Sequence, residues 1–352
     1  MTINIRGWVE ERDPTFKRGD NMLKVGIIGA GTMGGMHADC YSEIPGAKVI
    51  AIADTRIDAA KRVADKHSAQ AFDDIDKVIS MKDVDIIDIC LPTPMHKENV
   101  LKAASAKKHV FCEKPIAREL ADGKEMIEAC KKAGVKLMVG HVLRFFHEYV
   151  TAKSLIESGA IGKPVMIRST RAAGHPQGWS NWYSNVQMAG GVPLDLIIHD
   201  FDFLRWCFGE VDHLYAKGLT YADVADVDYS LVTIRFKNGV IAHVEGSWAH
   251  VSGFFVKLEV AGDGGLFEFD SRTSSPLRIA TKSAKGGDGG VEVPQNPVIE
   301  SPYTTELKHF IKSVEEDKEP PVTGEDALRA IEIAIGSLKS METGKPIVFP
   351  LI

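Results

Sequence analysis

An aspartate and a histidine four residues apart lie within the run Gly190-Gly191-Val192-Pro193-Leu194-Asp195-Leu196-Ile197-Ile198-His199-Asp200. Read as a glycine turn entering a helix, with Pro193 near the first turn, the spacing puts Asp195 and His199 on one face and brings Asp202 close to it. Leu194, Ile197, Phe201 and Leu204 then cover a core-facing side. A carboxylate in that position can orient an imidazole or stabilise its charge, and an imidazole exchanges protons near neutrality. The plainer alternative is a helix-start aspartate and an interior histidine with satisfied ring nitrogens. A metal set drawn from Asp195, His199, Asp200 and Asp202 is not expected. Asp200 points away from the shared face at about 100° per residue, and no second histidine stands at ligand spacing.

A third candidate is Lys114, in Cys112-Glu113-Lys114-Pro115 after the apolar pair Val110-Phe111. If that pair belongs to a parallel strand, Lys114 sits at the carboxyl edge of the sheet, where doubly wound folds bind ligands. Elsewhere a lysine would simply be a solvated charge. Near the other end of the same region comes Gly29-Ala30-Gly31-Thr32-Met33-Gly34, a GxGxxG loop directly after the apolar run Val25 to Ile28. Gly29 permits the tight turn, Gly31 lets backbone approach a pyrophosphate, and Gly34 lets the following helix pack close, with Thr32 and Met33 at its free N–H groups. Asp54 ends the next apolar run twenty residues beyond Gly34, where a carboxylate binds adenosine ribose hydroxyls. Capping the next helix is its plainer role. The loop and the acid together point to a dinucleotide, NAD in preference to NADP, although Arg56 could partly accommodate a 2′-phosphate.

The elements that position these groups follow from periodicity. From Leu23 to about Gly140 short apolar runs alternate with helical spacing: Val25–Ile28, Val49–Ile52, Ile86–Ile89, Val110–Phe111 and Lys136–Val139 as strands, with helices near 37–43, 58–67, 97–107 and 120–132. That is a Rossmann doubly wound parallel sheet covered on both faces. After Arg144 alternating runs at 165–170, 230–236, 240–245 and 255–260 read as mostly antiparallel strands, with Asn238-Gly239 as a tight hairpin in which both central residues need positive φ. Ala284 to Pro297 reads as a surface loop, and helical spacing returns at 305–314 and 325–340. The expected division is an extension at 1–21, a dinucleotide-binding domain at 22–143 and a substrate and oligomerisation domain at 144–352, whose C-terminal helix can pack back on the first.

Composition narrows the classes. The 352 residues suit two domains, and 44% hydrophobic with 26% charged residues is ordinary globular composition. A net charge of -6 argues against a nucleic-acid partner. Five scattered cysteines without a CxxC pair read as reduced thiols. With no apolar run of membrane length and no secretory leader in 1–21, the expectation is a cytoplasmic protein without a membrane partner.

The whole arrangement from Met22 to Ile352 resembles the glucose–fructose oxidoreductase and inositol dehydrogenase family, Gfo/Idh/MocA. The matching pieces are Gly29 to Gly34 with His37-Ala38, Asp54, Leu91-Pro92-Thr93-Pro94-Met95-His96, Glu113-Lys114-Pro115, the Asp195/His199 pair, and Thr323-Gly324-Glu325-Asp326-Ala327. The resemblance implies a second α/β domain with a large, mainly antiparallel open sheet, and a homodimer or homotetramer. It implies an NAD-dependent dehydrogenase acting on a secondary hydroxyl of a sugar, a cyclitol or a sugar derivative. By the same resemblance His199 is the general acid/base, Asp195 its partner, and Lys114 the cation at the substrate hydroxyl and nicotinamide. Pro92, Thr93, His96 and Glu113 would border the cofactor, His96 being equally readable as a helix-start residue.

Arg144, in a strand that borders the family's pocket, and Trp179 in the aromatic stretch Gly178 to Tyr183 are the further substrate candidates. Core or interface packing is the alternative for those aromatics. One departure is clear: many relatives carry Gly-Phe-x-x-Arg-Phe where this chain has Gly140-His141-Val142-Leu143-Arg144-Phe145. The competing readings are an NAD-dependent glycosidase that oxidises its substrate transiently, and a non-catalytic NAD-binding regulator.

Overall fold

Apolar runs bounded by glycine turns build the first sheet. The computed structural model describes residues 22–351 except 177, 222–225, 252, 274–276, 283–287 and 293–299, so the expected extension at 1–21 lies outside the described residues. Strands β1 (Leu23–Ile28), β2 (Ala47–Ala53), β3 (Gln70–Phe72), β4 (Ile86–Ile89), β5 (His109–Glu113) and β6 (Leu137–Gly140) form a parallel sheet in the order 3-2-1-4-5-6. Helices α1 (Thr32–Glu43), α2 (Ile57–His67), α3 (Ile75–Ile79), α4 (His96–Ser105) and α5 (Leu120–Ala133) connect them. All four residues of β4 and all of β6 are buried, as a sheet covered on both faces requires. The strand order reverses between β1 and β4, which opens a crevice at their carboxyl ends. Strand β3 escaped the sequence reading because three residues with an exposed Gln70 carry no apolar run.

Helix α6 (His147–Glu157) leads to the second sheet: β7 (Pro164–Ala172), then α7 (Val186–Ala189), α8 (Gly191–Asp195) and α9 (Ile198–Phe208), then β8 (Val211–Leu219), β9 (Tyr229–Phe236), β10 (Ile241–Ser247), β11 (Phe255–Gly262), β12 (Gly265–Asp270), β13 (Leu277–Lys282) and β14 (Asp288–Glu292). The nine strands run β14-β13-β12-β11-β7-β10-β9-β8-β15, where β15 is Ile347–Val348, and only the β7–β10 pair is parallel. Two local expectations are corrected. Of Asn238 and Gly239 only the glycine takes a positive φ, 95°, because the Asn238 side chain accepts from Val240 N and sets the turn itself. Part of the expected 284–297 loop is the edge strand β14, paired with β13.

Two helices close the chain. Helix α10 (Pro302–Glu315) packs on α1 through Leu307, Phe310 and Ile311, joining the core of the first sheet. Helix α11 (Gly324–Thr343) begins with a capping box between Thr323 and Asp326 and packs against α9, β8 and α5. Among the described residues, no helix is long and apolar enough to cross a membrane.

Candidate functional site

The glycine loop sits at the crevice. Gly29 has φ 100°, and a Cβ there would strike the Cys90 carbonyl, while a Cβ at Gly34 would strike the Gly29 carbonyl oxygen. Gly31 has open space where a side chain would stand, and α1 begins directly after it with no acid in its first turn. Free N–H groups, an unopposed helix dipole and a cleared approach fit a pyrophosphate. Asp54 accepts from Ala30 N at 3.0 Å and Arg56 N at 2.9 Å. Burial pushes its carboxyl up, but Arg56 and the Ala30 amide outweigh this and hold it below the ordinary aspartate value. Arg56 lies alongside, its Nε 3.3 Å from Asp54 Oδ1.

A cleft of about 1030 Å³ runs from this acid to the ends of α8 and α9. Gly29, Gly31, Thr32, Met33, Asp54, Arg56, Pro92, Thr93, Glu113, Lys114, Asp195 and His199 all border it, so one cavity gathers most of the residues singled out by sequence. Gly34 stands behind it as a packing residue. Tyr303 from α10, Trp182, Tyr183 and Arg62 also border it and were not singled out as site residues. Tyr303 had no signal, being an ordinary residue in an amphipathic helix. Trp182 and Tyr183 lie in the aromatic stretch already noted and stack at 4.1 Å. The Trp179 side chain lies outside the described residues.

The Asp195/His199 geometry differs from a continuous helix. α8 ends at Asp195 and α9 starts at Ile198, with Leu196 N and Ile197 N both bonded to Val192 O. At this break the Asp195 carbonyl accepts from Lys114 Nζ at 2.6 Å, and Asp195 Oδ1 accepts from it at 3.1 Å. Asp195 therefore partners Lys114 rather than the imidazole. His199 Nδ1 is buried with no partner, which leaves Nε2 as the ring nitrogen toward the cleft. Burial first, then Lys114, Arg171 and His141, hold His199 well below the usual histidine value, so the ring is neutral at pH 7.

The two aspartates that follow are bound elsewhere. Asp200 takes Arg171 Nε and Ser169 Oγ, both at 2.6 Å, which fastens α9 to β7. Asp202 accepts from Arg144 Nε at 2.7 Å and Nη2 at 2.6 Å. Arg144 also reaches Pro321 O and Asp326, is 5% exposed and does not border the cleft, so the structure places it as a buried tie between α9 and the start of α11 rather than at the substrate position expected from sequence. His96 is corrected likewise. It is fully buried, with Nδ1 2.9 Å from Pro115 O and Nε2 2.8 Å from Leu91 O, and it holds the two cleft-bordering turns together without reaching the cleft.

Behind Lys114 lies a buried polar cluster. Glu113 Oε2 accepts from Lys114 N at 3.0 Å, and its Oε1 is 3.2 Å from His37 Nε2. His37 Nδ1 meets Asp88 Oδ2 at 2.9 Å, with Cys90 Sγ at 3.3 Å. Burial opposes charge on His37, but Cys90 and Asp88 outweigh it and raise the imidazole well above its ordinary value. Burial likewise pushes Glu113 up, and His37 and Lys114 bring it below the usual glutamate value.

Fold and cleft together define a nicotinamide-dependent oxidoreductase. Residues 23–141 match the model of an oxidoreductase family with an NAD-binding Rossmann fold, and residues 149–268 match the Gfo/Idh/MocA C-terminal domain. The chain belongs to the Gfo/Idh/MocA family. It is 34% identical over 327 residues to the myo-inositol 2-dehydrogenase of Thermotoga maritima, covering 91% of this chain and 96% of that one. It is 30% identical over 338 residues to the NAD-dependent scyllo-inositol 2-dehydrogenase of Bacillus subtilis, covering 93% and 96%. A levoglucosan dehydrogenase solved with NADH and L-sorbose superposes with TM-score 0.85 at 25% identity, covering 94% and 100%.

Proposed function

We propose that this enzyme oxidises a secondary hydroxyl of an uncharged polyol, a free sugar or a cyclitol, with His199 as the proton acceptor and Lys114 as the cation on the reacting oxygen. The observation that carries this reading is the placement of Lys114, bound to Asp195, beside a neutral His199 in the cleft that starts at the glycine loop. NAD, when bound, takes up the hydride. The chain's own groups manage the rest: His199 Nε2 accepts the hydroxyl proton, Lys114 Nζ stabilises the negative charge growing on oxygen, and Asp195 holds the ammonium in place.

Charge supports the substrate class. Among the described residues bordering the substrate end, Lys114 is the one cation, and Asp195 already neutralises it. Arg56 and Arg62 border the Asp54 end of the cleft. A phosphate or carboxylate on the substrate would be desolvated without a partner. Trp182 and Tyr183 offer apolar ring faces for a polyol's C–H surface. We also infer a homodimer or homotetramer through the outer face of the second sheet, where Tyr215 and Leu231 are exposed in the chain alone.

The test is a panel of stereoisomeric inositols and hexoses beside sugar phosphates, uronic acids and nucleotide sugars, each with NAD and NADP, read by reduced-nicotinamide absorbance. Turnover of neutral polyols at least tenfold better than their charged counterparts is expected. Preference for a phosphorylated or nucleotide-linked substrate would overturn the substrate class, and sugar release without net reduction of NAD would replace the dehydrogenase reading by a glycosidase.

A further inference from the structure

We propose that His141 is a positioning residue for His199: one water accepts from His199 Nδ1–H and donates to a His141 ring nitrogen, which fixes the His199 ring with Nε2 toward the cleft. The proposal rests on the reading of His199 as the proton acceptor.

To accept a proton at Nε2, a neutral imidazole must carry its hydrogen on Nδ1. In many proton-transferring sites a carboxylate takes that hydrogen, but here none bonds to His199 Nδ1. Asp195 Oδ1 and its carbonyl are held by Lys114, Asp200 by Arg171 and Ser169, and Asp202 by Arg144. His199 Nδ1 is nonetheless buried, and a buried donor without an acceptor costs about 1–3 kcal/mol.

His141 matches that need. It follows Gly140 at the end of β6, is fully buried, and has both ring nitrogens buried without a partner. Its ring stands edge-on to His199, with centroids 6.3 Å apart and planes at 84°. That separation suits two hydrogen bonds of about 2.8 Å meeting at one oxygen better than a direct N–H···N bond. A water there would satisfy two of the three orphaned nitrogens at once. The titratable and charged groups bearing on His199 are Lys114, Arg171 and His141 itself, and those bearing on His141 are Asp202, Arg144, Lys114 and Asp326. Burial, the largest influence, holds His141 below its ordinary value, so it is neutral and able to accept.

Two readouts test the pair. Long-range proton–nitrogen NMR of histidine-labelled, NAD-bound enzyme, assigned with His199→Gln, reports the His199 tautomer without any substrate. The expected result is Nδ1–H in the wild type, a shift toward Nε2–H in His141→Phe, and retention of Nδ1–H in His141→Asn, whose amide oxygen can accept. In turnover, His141→Phe should lower kcat about tenfold with the KM for NAD unchanged. Wild-type His199 as the Nε2–H tautomer, or an unchanged tautomer in a folded His141→Phe, overturns the proposal. Failure of the whole substrate panel would fall on the functional reading instead, since the tautomer is read without turnover.

Discussion

His37 and His199 are both histidines in α-helices, both connected to the Glu113–Lys114 turn, and their surroundings set them to opposite charge. His37 lies between Asp88 and Glu113 and is held as an imidazolium, whereas His199 faces Lys114 and Arg171 with no carboxylate on its ring and is held neutral. Burial opposes charge in both, so the neighbouring groups decide the outcome. One end of the turn is anchored by a fixed charge, and the other faces the neutral imidazole proposed as the base. Glu113 and Lys114, adjacent in sequence, join the two: the carboxylate answers His37 and the ammonium answers Asp195.

Removing the base should have the largest effect. His199→Ala should lower kcat by about 10²–10⁴ with little change in NAD affinity, measured by steady-state kinetics and NAD titration. Lys114→Ala should fall in the same range through the lost stabilisation of oxygen charge, about 10²–10³. On the anchoring side the loss should appear in stability. His37→Leu leaves the buried Asp88 without a cation and removes one of the two cations bearing on Glu113, and should cost about 3–5 kcal/mol in denaturant unfolding; Arg144→Ala, which orphans Asp202, should cost a similar amount. If Arg144→Ala instead raised the substrate KM without loss of stability, Arg144 would be a substrate contact after all. The smallest effect is expected at the adenosine end, where Asp54→Ala should raise the KM for NAD roughly tenfold through lost hydrogen bonds.

The two histidines also differ in the sign of their pH linkage. His37 has a raised pKa, so its contribution is fully present below the unfolded value of about 6.5 and is lost as pH rises through the folded value. His199, His141 and His96 have lowered values, so the unfolded state binds their protons more readily. Their net effect is to destabilise the fold as pH drops below about 6.5. Unfolding curves should therefore show the stability gap between wild type and His37→Leu constant below about pH 6.5 and narrowing as pH rises above it, while both proteins lose stability toward acid through His199, His141 and His96.

Legibility in the sequence followed the range of each interaction. The glycine loop, Asp54 and the Glu113–Lys114 turn are local patterns whose positions follow from strand and turn chemistry, and the cleft gathers them as expected. The parallel sheet was readable from its apolar runs, apart from the short β3. Long-range pairings were not readable. Asp195 stands four residues before His199, yet the helix breaks between them and Lys114, 81 residues away, takes the carboxylate. Arg144 reads as a polar residue near the pocket until its partner Asp202, 58 residues on, turns it into a buried tie. His96 had two readings, and its burial between two carbonyls decides for the scaffold one.

The most direct test of the account is the pH dependence of kcat/KM for polyol oxidation in the wild type and in His199→Asn. A neutral, buried base predicts a wild-type acid limb below the ordinary histidine value of about 6.5, and in His199→Asn a rate at least about 10²-fold lower with no limb in that range. A limb that persists in His199→Asn at near wild-type rate would assign the proton to another group and contradict the central claim.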